Sequence, residues 1–243
     1  MVKLRKLKCG GNDFKYSPEL PKSNEKLIWN RKDLQPNKRI IEIYKNGVVS
    51  MGNNKIKLTS AISPAEGFHL YDLILQNKYS DILEIGMANG LSSLYITQSL
   101  NDNSKNGHLT SIDPFQSTQW KSSGIFNINS AKLSKYHTLI EKKSYIAMPE
   151  LLNKDKKYDL IFIDGMHLFD YTLLDVFYAI LLCKNGGVIV IDDILHEAPS
   201  KVVKFMDANY KFMRRILPLP IKTMATYVKI NDDFREWDHF NNF

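Results

Sequence analysis

Residues 80–93, SDILEIGMANGLSS, decide the fold. Ile82-Leu83-Glu84-Ile85 is a short apolar run of strand length, and it breaks at Gly86. After Gly90 the chain restarts as an amphipathic helix, Leu91-Ser92-Ser93-Leu94-Tyr95-Ile96. A strand that turns on glycines into a helix presents unpaired backbone N–H groups and a glycine surface on which a ligand can lie. A Cβ there would block the approach. The dinucleotide pattern GxGxxG is absent, because Ala88 stands where its middle glycine would fall. No Gly-Lys-Ser/Thr follows either, which excludes a phosphate loop.

Outward from this turn, strands and helices alternate. The pattern predicts strands at 81–86, 108–112, 138–142, 158–163 and 187–192, with helices near 91–101, 127–136, 145–153 and 168–183. Residues 158–163 and 187–191 are almost continuously apolar, as strands buried on both faces of a parallel sheet are. A helix near 199–210 and two strands, 213–217 and 223–230, complete the series. The expected fold is α/β: a doubly wound, mostly parallel, seven-stranded Rossmann-like sheet.

Upstream, Ser63 caps a helix expected over residues 68–76, with Pro64 in its first turn. Residues 40–44 and 48–51 read as a hairpin turning at Asn46-Gly47. Residues 1–36 read as loop and short helix. The expected division is a basic N-terminal extension, 1–58, and a catalytic-type domain, 59–243.

The 243 residues suffice for one α/β domain with an extra segment, and 44% hydrophobic against 24% charged residues suits a soluble globule. No apolar run approaches the roughly 20 residues of a membrane helix. The start, MVKLRKLKCGG, lacks the apolar core of a signal peptide. Cys9 and Cys183 belong to no metal or redox spacing, so a reducing, cytoplasmic setting is expected. The net charge of +7 is uneven: residues 1–57 hold 14 Lys/Arg against 5 Asp/Glu. Such an arm can dock nucleic acid or an anionic substrate, or simply keep the protein soluble.

In a doubly wound sheet ligands bind beyond the carboxyl ends of the strands. Those ends carry Asp113, then Lys143-Ser144-Tyr145, then Asp164-Gly165-Met166-His167, then Asp192-Asp193. Asp113 suits the two hydroxyls of a ribose, or an Asx turn capped by Pro114. Ser92 can take a cofactor carboxylate or simply open its helix, and Ser144 can edge an adenine or serve as a cap. Asp164, Asp192 and Asp193 suit a hard divalent ion such as Mg²⁺; otherwise they are loop or cap acids. His167 is placed to act as a general base beside them, or as a cap. His196 follows Asp193 closely enough to touch substrate. The acceptor pocket is expected from residues 1–60 and 194–225, with Phe205, Met206, Tyr210 and Phe212 as lining or core.

LEIGMANGLSS, SIDP, FIDGMHLFDYTLLD and GGVIVIDDI, in this order, resemble the metal-dependent small-molecule O-methyltransferases of the class I S-adenosylmethionine (SAM) fold over about residues 60–230. The form D-G-x-H-x-[FY]-[DE], here Asp164 to Asp170, is similar to the sugar O-methyltransferases of macrolide and aminocoumarin pathways. The resemblance implies Glu84, Gly86, Ser92 and Asp113 as SAM positions, with Met87, Gly90, Ser144 and Asp164 completing the set. It implies Asp164, Asp192 and Asp193 as the metal ligands and His167 as the base. The acceptor would be a small-molecule hydroxyl, and the chain could form a homo-oligomer. Competing expectations are a methyltransferase on RNA docked by the basic arm, and a non-catalytic SAM-fold binding module.

Overall fold

The computed structural model describes residues 7–9, 12–14, 37–103, 106–217 and 221–243. Two short antiparallel strands come first, β1 (Leu7–Cys9) and β2 (Asn12–Phe14). The loop and short helix expected over the rest of residues 1–36 lie outside the described residues.

Residues 40–44 are not a strand. They belong to helix α1 (Lys38–Asn46), capped by Asn37, whose side chain accepts the N–H groups of Arg39 and Ile40 at 3.0 and 3.2 Å. Ile40 and Ile43, three positions apart, both bury, so helical periodicity overrides the β preference of three isoleucines. Gly47, at φ +63°, ends the helix and sends its N–H to the Ile43 carbonyl. The expected hairpin turn at Asn46-Gly47 is therefore a helix stop. The hairpin stands one element later, β3 (Val48–Met51) with β4 (Asn54–Lys57), turning at Gly52-Asn53.

Helix α2 (Pro64–Asn77) starts in a capping box made by Ser63 and Glu66. Then come β5 (Asp81–Ile85), α3 (Leu91–Asp102), β6 (His108–Ile112), α4 (Ser123–Ser130), β7 (His137–Ile140) and α5 (Ser144–Leu152). The chain continues through β8 (Tyr158–Ile163), α6 (Phe169–Leu182), β9 (Cys183–Ile191), α7 (Glu197–Asn209), β10 (Met213–Arg215) and β11 (Ala225–Lys229). The helix expected over 127–136 begins earlier and breaks at Lys132, whose φ is +59°; only a 3-10 turn, Ser134–Tyr136, follows. β9 begins directly after α6, four residues ahead of the expected strand.

The seven-stranded sheet has the order β10-β11-β9-β8-β5-β6-β7. β5 to β9 pair in parallel, while β11 runs antiparallel to both β9 and β10. Side chains alternate between two cores: Leu160, Phe162, Val188 and Val190 bury in the core shared with α2 and α3, whereas Ile161, Ile163, Ile189 and Ile191 bury in the core shared with α5, α6 and α7. Each fully buried Val, Leu or Ile contributes roughly 1.5–3 kcal/mol of transfer free energy. Ile40, Ile43 and Val49 join the first core, and residues 37–57 pack against α3 and α4. From β5 the chain builds outward to β6 and β7, then crosses to β8 on the other side. That reversal opens a crevice beyond the carboxyl ends of β5 and β8.

Candidate active site

Ladder hydrogen bonds continue one residue past the strands and fix what stands there. The N–H of Asp113 donates to Ile140, that of Asp164 to Ile85 and that of Asp192 to Ile163, at 3.2, 2.9 and 2.9 Å. Gly86, at φ +89°, lies flat against the Asp164 backbone. Gly90, at φ +77°, opens α3 with no side-chain cap.

The crevice holds a cavity of about 660 Å³, within the size range of small-molecule sites. Gly86, Asp113, Ser144, Asp164, His167, Asp192 and Asp193 line it. Glu84, Met87, Gly90 and Ser92 are buried behind the loop and are not on its wall. Glu84 is fully buried and accepts hydrogen bonds from the hydroxyls of Ser93 and Ser111, both at 2.5 Å. Burial pushes its carboxyl up to about 7, against the opposing pull of those hydroxyls.

Asp113 braces the glycine loop. Its Oδ2 accepts the N–H groups of Met87 and Ala88 at 3.1 and 2.8 Å, and its Oδ1 accepts that of Phe115 at 2.8 Å. The second contact is the Asx turn considered from sequence, so one carboxylate both shapes this turn and faces the cavity. Ser144 sits on the wall at the start of α5, paired with the buried Asp175.

Across the crevice His167 bridges two acids. Its Nε2 lies 3.4 Å from Asp164 Oδ1 and 3.4 Å from Asp193 Oδ2. The hydrogen bond to Asp164 raises the imidazole pKa, because the acid stabilises the imidazolium. Asp192 is held well above the usual carboxylate range by burial, then by the charges of Asp164 and Glu66. Asp193 has a left-handed backbone, φ +53°, and its N–H donates to Asp192 Oδ1 at 2.7 Å. His196 is off the cavity wall and stacks on His167 with ring centroids 5.6 Å apart.

Two groups on the wall escape a reading of strand ends. Glu66 closes the capping box of α2, accepts the Thr223 hydroxyl and still faces the cavity. The motif S-x-x-E is visible in the sequence but reads wholly as a helix cap. The aromatic wall of Phe115, Trp120, Tyr145 and Tyr171 comes from three separate segments, which share no linear signature. The expected acceptor pocket needs correction: Thr59 and Ser60 are on the wall, but nothing described from 194–225 is. Met206, Tyr210 and Phe212 pack in the core against α6 and the sheet, with Phe205 packed partly buried beside them, because α7 turns its apolar face inward.

Residues 83–194 match a family described as a methyltransferase domain. No curated protein matches the chain by sequence. Among solved structures, the Bacillus cereus O-methyltransferase in complex with SAH is similar at TM-score 0.59 and 19% identity, covering 70% of this chain and 83% of that one. The O-methyltransferase TomG from Streptomyces achromogenes, involved in tomaymycin synthesis and bound to SAM, aligns at TM-score 0.59 and 20% identity over 70% and 82% of the two chains. SAH-bound PaMTH1 from Podospora anserina aligns at TM-score 0.58 and 15% identity over 71% and 80%. The chain thus shares the fold of these SAM- and SAH-bound methyltransferases.

Proposed function

We propose that the chain, whose residues 83–194 form a methyltransferase domain, is a SAM-dependent O-methyltransferase acting on a small-molecule hydroxyl of a sugar or vicinal diol. One observation carries the reading. The glycine loop after β5 and the acid–imidazole cluster after β8 and β9 open onto the same cavity, with Gly86 seated against the Asp164 backbone.

A cofactor lying on the loop would meet Gly86 and Asp113 and reach Ser144 at the start of α5. The donor set fits a hard divalent cation such as Mg²⁺, because the carboxyls of Asp164 and Asp192 are both raised, first by burial and then by the neighbouring acid charges, and a cation among them would offset that cost. Asp164, Asp192 and Asp193 would hold the ion, which when bound lowers the pKa of a coordinated hydroxyl.

The residues do the rest. The His167 imidazole takes the hydroxyl proton as the oxygen forms its bond to the methyl carbon and the carbon–sulfur bond breaks. The electron pair of that bond leaves with sulfur, giving S-adenosylhomocysteine, a methyl ether and an imidazolium. Asp164 and Asp193 flank that imidazolium and stabilise its charge. The aromatic wall gives the acceptor flat faces to lie against, which would help hold attacking oxygen and methyl group in line. A cytoplasmic setting fits the buried free thiol of Cys183.

Calorimetric titration with SAM, in Mg²⁺ and again in EDTA, tests the reading. Labelled-methyl transfer to a panel of diols and sugars follows. SAM binding with Mg²⁺-dependent transfer to one class supports it, and absence of SAM binding in both buffers overturns it.

A further inference from the structure

His167, Asp193 and His196 stand together in a way the proposed reaction does not use. Asp193 offers one oxygen to each imidazole: Oδ2 lies 3.4 Å from His167 Nε2 and Oδ1 lies 3.8 Å from His196 Nε2. Ligand atoms of all three lie within 4.8 Å of one another, and among the described residues Asp164 and Asp192 do not join that set. The imidazoles are nearly parallel, with 21° between their planes, and the Nε2 atom of each lies within 4 Å of the Asp193 carboxylate.

We propose that His167, Asp193 and His196 form a binding site for a borderline transition metal of the Zn²⁺ class, which when filled removes His167 from proton transfer. Two imidazole nitrogens and one carboxylate oxygen are a donor set that Mg²⁺ takes poorly and Zn²⁺ takes well. Metal–ligand distances of about 2.0–2.2 Å require the three side chains to close by about an ångström. Their exposure permits that: the side chains are 35%, 39% and 65% accessible. A fourth position stays open to water or to an acceptor oxygen. The sulfur-free, half-open site predicts reversible binding in place of a structural ion. Asp193 also belongs to the proposed Mg²⁺ set, so the two ions compete for it. Inhibition rests on the proposed reading of the reaction, but the binding itself does not.

The probe is Co²⁺, followed by visible absorption, and then Zn²⁺ by calorimetry, on the full metal-free chain with and without SAM. The wild type is expected to take one equivalent with the intense bands of a low-coordinate, nitrogen-ligated ion. His196→Ala should weaken binding at least about tenfold, since even outer-shell partners of metal ligands are worth that much. This variant should fold normally, because His196 makes no side-chain cap bond at the start of α7. His167→Ala should weaken binding similarly. Zn²⁺ should suppress methyl transfer by the wild type and not by His196→Ala. Weak, oxygen-type Co²⁺ bands, or affinity unchanged in His196→Ala, would overturn the site. Zinc bound through both imidazoles without any SAM binding would uphold the site and overturn the proposed reaction.

Discussion

The carbonyl oxygen of Asp164 lies 1.8 Å from the point where a β-carbon on Gly86 would stand. The floor of the crevice is thus two strand ends in backbone contact, and Gly86 is also at φ +89°. Gly86→Ala must move β8 away from β5 and adopt a backbone that costs an L-residue roughly 1–2 kcal/mol by itself. Melting should fall by several degrees, at roughly 2–4 °C per kcal/mol for a chain of this size. SAM titration should give no measurable heat. An unchanged Tm with intact SAM binding would mean that the loop does not form this floor.

Glu84 is buried at the foot of the same loop, with one oxygen taking two serine hydroxyls and the other unpartnered. Its folded pKa of about 7 lies above its unfolded 4.5, so the folded state holds the proton more tightly. The stability this contributes is full below pH 4.5 and is lost as pH rises through 7. The span corresponds to something on the order of 3 kcal/mol. The difference in Tm between wild type and Glu84→Gln should therefore grow in the variant's favour from pH 5 to pH 8. A difference that stays flat across that window would refute the raised carboxyl.

The sheet was legible because burial on both faces leaves an unbroken apolar signature at residues 158–163 and 187–191, and because glycines punctuate the turn at 86–90. The acids at strand ends were legible for the same reason: the ladder fixes where a strand stops. Residues 40–47 misled because Ile-Ile-x-Ile fits both periods, and only the fit of Ile40 and Ile43 into a distant core decides between them. Asn-Gly then fits either a hairpin or a helix stop. Glu66 and the aromatic wall were hidden for another reason. They meet the strand ends only through α2, the loop after β6, α5 and α6, a relation that exists in space and not along the chain.

Asp192 gives a prediction against intuition. Burial and the charges of Asp164 and Glu66 make its ionised form costly, so the stability its proton supplies is present at low pH and lost as pH rises through the raised folded value. In EDTA at pH 8, Asp192→Asn should raise Tm by about 2–4 °C, the effect of roughly 1 kcal/mol. Added Mg²⁺ should then stabilise the wild type and leave the variant unmoved. Equal Mg²⁺ shifts in both proteins would exclude Asp192 as a ligand.

Asp113 should separate cofactor from metal. Its carboxylate accepts the N–H groups of Met87, Ala88 and Phe115, and Gln116 Nε2 donates to it at 3.2 Å. Asp113→Ala leaves these donors without their acceptor beneath the loop, at roughly 1–3 kcal/mol for each one that stays buried and dry. The loop should loosen, and SAM affinity should fall at least about tenfold through both the missing ribose acceptor and the disordered floor. The acids at the ends of β8 and β9 are braced separately, by ladder bonds to Ile85 and Ile163, so Mg²⁺ affinity should hold within about twofold. Parallel calorimetric titrations of the variant with SAM and with Mg²⁺ read both at once. A matched loss of the two affinities would show that loop and acid cluster are one cooperative unit, and that Asp113 does not act on the cofactor alone.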